Sequence, residues 1–360
     1  MTTAVSSLQE SIGTYGDEAA RMTSSAVMNR QVLLRSRPDG IPQAENFEVV
    51  EATVPEPGEG EVLVRSRFLA IEPAMRGWVS AVANYSSPVA LGSVMRSFAA
   101  GEVVRSRNPD YAPGDQVTGM FGWQEYAVAG VHEISRKVPR DDIPLSASLG
   151  VLGLNGLTAY FALLEVGQPK PGETVLVSTA AGAVGSCVGQ IAKIVGCRTV
   201  GITGGAAKVQ LCLEEFGYDA AIDYKSGGDL GAAITEAAPG GVNVYFDNTA
   251  GAISDTVYAR LAAGARIGVC GTASISSWDP WPVGPRVERH LLVKRASMQG
   301  FLAFDYAARF PEAIAQLSAW IREGRLRYRE EFLDGIDAAP GAIAGLYRGE
   351  NLGRRLIRLP

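Results

Sequence analysis

Hydrophobic and polar positions follow two different rhythms along this chain of 360 residues. Before residue 150 the rhythm is short. Glu61-Val62-Leu63-Val64-Arg65-Ser66-Arg67-Phe68-Leu69 alternates apolar with polar residues, as a half-buried strand does. Ala99-Ala100-Gly101-Glu102-Val103-Val104 and Tyr126-Ala127-Val128 read as similar short strands. Turn formers punctuate them at Pro55-Glu56-Pro57-Gly58-Glu59-Gly60, Asn108-Pro109 and Pro113-Gly114-Asp115. Many short strands with Gly and Pro turns predict a β-barrel-like unit.

After residue 150, continuous apolar runs replace the alternation. Thr174-Val175-Leu176-Val177-Ser178 reads as a strand buried on both faces, and apolar residues resume at Val188, Ile191, Ala192, Ile194 and Val195 as a helix packed on it. Arg198-Thr199-Val200-Gly201-Ile202, Ala220-Ala221-Ile222-Asp223-Tyr224, Val242-Asn243-Val244-Tyr245-Phe246-Asp247 and Ala265-Arg266-Ile267-Gly268-Val269-Cys270 continue the pattern, with helix-like segments between them. This grammar predicts a right-handed, doubly wound parallel α/β sheet of the Rossmann type. The last residues return to turns and strands and are predicted to rejoin the first unit. The expected organisation is a flexible extension at 1–27, a barrel unit at 28–151 and 328–360, and a nucleotide-binding unit at 152–327. The site then falls in the cleft between the two units.

The chemistry begins at Thr179-Ala180-Ala181-Gly182-Ala183-Val184-Gly185-Ser186, between the first buried strand and its helix. Gly182 and Gly185 leave room for a pyrophosphate at the helix N-terminus, where free N–H groups and the helix dipole favour anions. The strict G-x-G-x-x-G is not present, because Ala180 holds the first glycine's place. A plain tight turn would use the same glycines, so the next strand matters. Enzymes that use NAD place an acid at its end to meet the adenine ribose. Here that strand ends at Thr203-Gly204-Gly205 with no carboxylate, and Lys208 follows. A cation without an acid suits a 2′-phosphate, which points to NADPH. Asn248 and the Gly271-Thr272-Ala273-Ser274 turn lie past the carboxyl ends of later strands, the edge at which open sheets bind ligands.

Composition narrows the alternatives. With 33 basic and 38 acidic residues, nothing favours nucleic acid or an anionic membrane as a partner. No apolar run approaches the ~20 residues that span a bilayer. Residues 1–27 lack the hydrophobic core of a signal peptide, so a cytoplasmic location is expected. Cys187, Cys197, Cys212 and Cys270 are scattered, and His132 and His290 are the only histidines. The clustered ligands that zinc needs are missing, and no metal is expected.

Gly156-Leu157-Thr158-Ala159-Tyr160-Phe161, the 180–186 loop, Gly189-Gln190-Ile191-Ala192-Lys193, Tyr245-Phe246-Asp247-Asn248 and Gly349-Glu350-Asn351-Leu352-Gly353 together resemble one family. It is the zinc-free medium-chain dehydrogenase/reductase superfamily, in its prostaglandin reductase, alkenal double-bond reductase and curcumin reductase branch. The resemblance runs from about residue 30 to the end and implies a GroES-like barrel as the catalytic unit. It implies NADPH-dependent reduction of the carbon–carbon double bond of α,β-unsaturated ketones or aldehydes. By the same pattern, Gly182, Ala183, Val184 and Gly185 would hold the pyrophosphate, and Lys208 with Tyr224 would meet the 2′-phosphate beyond Thr203 and Gly204. Asn248, Cys270, Gly271, Thr272, Ala273, Phe301, Leu302, Ala303 and Asn351 would line the ribose and nicotinamide.

Two departures concern the proton chemistry. The branch often carries tyrosine in Asp-Pro-Tyr-Met-Arg, where this chain reads Glu72-Pro73-Ala74-Met75-Arg76. A second tyrosine of the branch aligns near Val293. Enone reduction needs a donor for the developing enolate. With both tyrosines absent, the cofactor ribose and ordered water are expected to supply most of it, helped by Arg76, Tyr85 and Asn155. Met75, Trp78, Met95, Phe121, Trp123 and Phe304 are candidate walls for a bulky hydrophobic substrate, although each taken singly is more readily a core residue, and residues 274–289 are a candidate lid or a loop at a subunit contact. A quinone or carbonyl oxidoreductase on the same fold is one alternative, and a cofactor-binding protein without turnover is another. An edge strand near Ala265 to Cys270, or the one after it, is expected to pair across a two-fold in a homodimer.

Overall fold

Alternate residues of the first half fill one apolar interior, and the strands form around it. The computed structural model describes residues 28–81, 85–275, 278 and 280–360; the extension expected at 1–27 lies outside them. β1 (Met28–Leu34) and β2 (Phe47–Thr53) form an antiparallel pair. Next come β3 (Val62–Ala70), α1 (Met75–Val79), β4 (Ala99–Ser106), β5 (Gln116–Gly119), β6 (Tyr126–Ala129) and β7 (Ile134–Lys137). Their inward residues, among them Val32, Val64, Leu69, Val103 and Val117, share one core.

The second half alternates helix and strand. α2 (Leu154–Phe161) leads to β8 (Thr174–Ser178), α3 (Ala183–Val195), β9 (Arg198–Thr203), α4 (Ala206–Gln210) and β10 (Ala220–Asp223). α5 (Leu230–Ala237), β11 (Val242–Asp247), α6 (Gly251–Tyr258), β12 (Leu261–Val269), α7 (Glu288–Lys294), β13 (Ser297–Gly300) and α8 (Phe310–Arg322) follow. The six strands are all parallel, in the order β10-β9-β8-β11-β12-β13. All five residues of β8 are buried, as a central parallel strand requires. α3 packs on it through Cys187, Val188, Ile191 and Ala192 and ends at Gly196, whose φ of +96° only glycine adopts freely. Strand order reverses between β8 and β11, so a crevice opens at their carboxyl ends.

The chain then returns through β14 (Glu330–Asp334), α9 (Ala339–Arg348) and β15 (Arg354–Arg358). β15 pairs antiparallel with β3, completing a seven-stranded sheet in which β6 also pairs with β3. Two stitches join this sheet to the parallel one. Gly182 forms a backbone bridge to Gly353. The Gln190 amide both donates to Arg327 O at 2.8 Å and accepts from Arg327 N at 2.7 Å. Among the described residues no helix is long and apolar enough to cross a membrane.

Candidate functional site

After β8 the chain turns sharply. Thr179 takes a left-handed φ of +54°, and Gly182 N–H donates to Thr179 O at 2.9 Å. A Cβ at Gly185 would stand 2.3 Å from Thr179 O and 2.8 Å from Ala180 Cα, so only glycine fits. At Gly189 a Cβ would meet the Tyr218 ring at 2.2 Å, and the Tyr218 hydroxyl donates to Gly185 O at 2.6 Å. Tyr218 therefore locks the helix start onto the sheet, a role absent from the sequence reading. No side chain caps α3. The N–H groups of Ala183, Val184 and Gly185 stand available to an anion at the positive end of the helix dipole.

Beyond β9 the cations gather. Asp223 accepts from the backbone N–H of Gly205 at 2.8 Å and of Lys225 at 2.9 Å. Those bonds hold its carboxyl below the usual carboxylate range and commit it to the turn. The Lys208 and Lys225 amines converge over Gly349, where a Cβ would lie 3.5 Å and 3.8 Å from them. Among the described residues neither amine forms an ion pair. Burial lowers the pKa of the Lys208 amine, and the Lys225 and Arg355 cations lower it further. Like charges so arranged, with no ion pair among the described residues, attract an anion even with Glu331 and Asp223 in electrostatic reach. Tyr224 is exposed beside them, its ring 5.9 Å from the Lys225 amine. Lys225 was missed from the sequence; its only signal was its place directly after Tyr224 at a strand end.

The carboxyl edges of β11 and β12 are tied together by Asp247, which is fully buried. Its carboxylate accepts from Thr249 N and Ala250 N at 2.9 Å and from Ser254 Oγ at 2.7 Å. Its backbone oxygen accepts from Cys270 N and Gly271 N. The Asn248 amide donates to Ser178 O at 2.8 Å, joining β11 to β8. Asn351 likewise donates to Gly353 O at 2.8 Å and shapes its own turn. Phe301 turns its ring into the core against Tyr306, Ala303 is buried and Leu302 is exposed. Of these three, Leu302 presents the most side-chain surface.

On the barrel side, Arg76 lays its guanidinium over the Tyr347 ring at 4.8 Å and donates from Nη2 to Thr272 O at 3.4 Å. The neighbouring Glu72 forms a buried pair with Arg354, Oε1 to Nη2 at 2.6 Å, while Arg354 Nη1 donates to Ile71 O at 2.8 Å. Tyr85 is 56% exposed, yet the protein around its hydroxyl still raises its pKa. Asn155 is 6% exposed, and its buried Oδ1 has no hydrogen-bond partner. Among the described residues no hydrogen bond joins Arg76, Tyr85 and Asn155 to one another.

The expected apolar walls need correction. Met75, Met95, Phe121, Trp123 and Trp78 are buried in the barrel core, where they pack with Val32, Val64, Leu69 and Val117 and fill its interior. Phe304 alone of that set is exposed. In the segment offered as a lid, Trp278 and Trp281 are exposed and meet edge to face with centroids 5.3 Å apart; Ser276, Ser277 and Asp279 lie outside the described residues. Val293 is exposed on α7.

Two family profiles match the chain. One described as the N-terminal domain of oxidoreductase covers residues 30–136, and one described as zinc-binding dehydrogenase covers residues 183–319. An NADPH-dependent curcumin reductase of Escherichia coli (strain K12) is 41% identical over 92% of this chain and 97% of its own. An NADP(+)-dependent 2-alkenal reductase of Nicotiana tabacum is 37% identical over 92% and 97%. The structure of CurA from Vibrio vulnificus in complex with NADPH superposes with a TM-score of 0.87, at 39% identity, over 92% of this chain and 99% of CurA.

Proposed function

The chain belongs to the medium-chain dehydrogenase/reductase superfamily, in the branch of the curcumin, alkenal and prostaglandin reductases, and from that premise we propose how its cleft works. It is an NADPH-dependent oxidoreductase that reduces the carbon–carbon double bond of α,β-unsaturated ketones and aldehydes. The Lys208–Lys225 pair carries the cofactor assignment: two amines without an acid stand where enzymes using NAD place a carboxylate. The residues present fit the cofactor, since the tight Gly182 to Gly185 turn leaves the first backbone N–H groups of α3 without a side-chain cap.

When bound, NADPH supplies the hydride that reaches the substrate β-carbon. The open N–H groups of α3 take the pyrophosphate, and Lys208, Lys225 and Tyr224 take the 2′-phosphate. The turns at Asn248, Cys270 to Ala273, Leu302 and Asn351 bound the ribose and nicotinamide. As the substrate carbonyl oxygen gains charge, the Arg76 guanidinium beside Thr272 stabilises it. Tyr85 serves as a hydroxyl donor: a phenol is protonated at neutral pH, and burial, which raises its pKa, extends that state further into the alkaline range. Asn155 contributes its amide N–H. Ordered water delivers the proton to the α-carbon.

Zinc takes no part in this reading. Among the described residues no group of three or more His, Cys, Asp or Glu side chains could hold a metal. All four cysteines are free, which also supports a reducing, cytoplasmic location. One core cluster lies wholly within residues 28–151 and 328–360, which supports a catalytic unit of those residues, while the cluster of the nucleotide-binding unit of residues 152–327 also draws in Ile143, Ala147 and Val151. A homodimer through the β13 edge is supported by the exposed Trp281, Val283, Leu292 and Val293 nearby; light scattering that finds only monomer would remove it.

The deciding assay follows NADPH and NADH oxidation against an enone, a quinone and a saturated ketone. Turnover of the enone with NADPH preferred is expected. Faster turnover of the quinone or ketone, or tight NADPH binding without consumption on any of them, would overturn the reading.

A further inference from the structure

Arg76 is an unusual cation among the described residues of the cleft. It stands on the five-residue helix α1, and the one hydrogen bond of its side chain among them is the 3.4 Å contact to Thr272 O. A guanidinium carries five N–H donors on a flexible stem, and ordering that stem costs ~2 kcal/mol of rotamer entropy. One long bond to a carbonyl is a weak restraint. The second restraint is the face of Tyr347, 4.8 Å below the guanidinium. Tyr347 comes from the last turn of α9, and its hydroxyl donates to Pro73 O at 2.9 Å. The ring that carries Arg76 is thereby tied to the turn from which Arg76 itself springs. Three segments distant in sequence close into a clasp: the 72–76 turn, the end of α9 and the turn after β12.

We propose that Tyr347 is the positioning residue for Arg76, its ring holding the guanidinium beside Thr272 while its hydroxyl fixes the Pro73 turn. This rests on the assignment of Arg76 to the substrate oxyanion and extends it to a residue on another element. Tyr347 does not touch the reacting atoms; it acts by removing alternatives from Arg76, so that the cation is in place when charge develops. Burial raises the pKa of the Tyr347 hydroxyl, against the opposing Arg76 charge, and it remains a donor to Pro73 O across neutral pH. The ring and the hydroxyl make separable contributions.

Tyr347→Leu removes both contributions, whereas Tyr347→Phe keeps the ring. In Tyr347→Leu, kcat for an enone at saturating NADPH is expected to fall about tenfold, with Kd for NADPH within about twofold of wild type. Tyr347→Phe should keep at least about a third of kcat. Adding Tyr347→Leu to Arg76→Met should cost nothing beyond Arg76→Met alone, since the two act as one unit. Additive losses, or a Leu variant within about twofold of wild type, would overturn the proposal. A second measurement needs no turnover. In protein labelled with 15N-arginine, the Arg76 Nε–H resonance, assigned with Arg76→Lys, should be shifted by the ring in wild type and Tyr347→Phe and lose that shift in Tyr347→Leu. An unchanged resonance in Tyr347→Leu refutes the clasp. If wild type reduces no enone, the proposed reaction fails, while this resonance still decides the clasp.

Discussion

The loop of residues 179–186 turns on a local bond, Gly182 N–H to Thr179 O, with distant residues only buttressing its backbone, whereas the turn around Arg76 closes through side chains bonded to residues 196 and 274 positions away. The first is a backbone device. Its chemistry lies in N–H groups, its side chains are small, and its geometry follows from where glycine is allowed. The second is a side-chain device, in which a guanidinium, a tyrosine ring and a buried Glu72–Arg354 pair acquire meaning only when β15 and α9 return to the barrel. A site made of backbone is written in consecutive residues. A site made of side chains from three segments is not, and variation at one position can be answered from another element.

The sharpest break of this comparison is at Gly185. Gly185→Val places a side chain against Thr179 O and should abolish detectable NADPH binding in a fluorescence titration; retained binding would show that the loop tolerates a Cβ. On the other side, Glu72→Ala leaves the Arg354 charge buried and unpaired, and should lower unfolding stability by ~3–5 kcal/mol in denaturant melts. A loss below ~1 kcal/mol would mean that the pair is solvated. Removing both Lys208 and Lys225 by alanine should raise Kd for NADPH by at least about 100-fold while leaving NADH nearly unchanged, since each phosphate contact is a charge-assisted bond of ~1.5–3 kcal/mol. Equal weakening of both cofactors would place the amines elsewhere.

Smaller effects sharpen the contrast. Tyr85→Phe should lower kcat about tenfold, less than the ~10²–10⁴-fold of a sole acid–base group because Arg76 shares the oxyanion, and should erase an alkaline limb of the pH–rate profile; an unchanged profile would remove Tyr85 from the chemistry. The cysteines should be nearly silent. Burial pushes Cys197 up to about 11 and Cys187 and Cys212 up to about 12, and raises Cys270 as well. At pH 8 the native protein should resist a thiol reagent. Unfolded thiols ionise near ~8.5 and the folded ones only above that, so this contribution to stability is present below pH 8 and falls as pH rises towards 11. Rapid native labelling would contradict the packing.

The parallel sheet, its order of elements and the phosphate turn were legible in sequence because each rests on local periodicity or on a glycine with no alternative. The NADPH preference was legible in part: Lys208 and the missing acid could be seen, but the convergence of Lys225 over Gly349 required the return of residues 349–353 to the sheet. The substrate walls were not legible, since the same residues serve as core. Met95, Phe121 and Trp123 look alike in sequence whether they line a cleft or fill a barrel, and packing between the β1–β2 pair and the seven-stranded sheet put them inside. Arg76 was visible as a cation; its support from Tyr347 was not.

By itself the sequence determined where backbone must bend, which strands are buried on both faces and that no cluster of metal ligands is spelled out. Those properties depend on steric limits and burial patterns within a few residues. Tertiary structure alone decided which cations share a pocket, which aromatics are core and what holds Arg76 in place. Such contacts join residues hundreds of positions apart, and only the folded chain sets their distances.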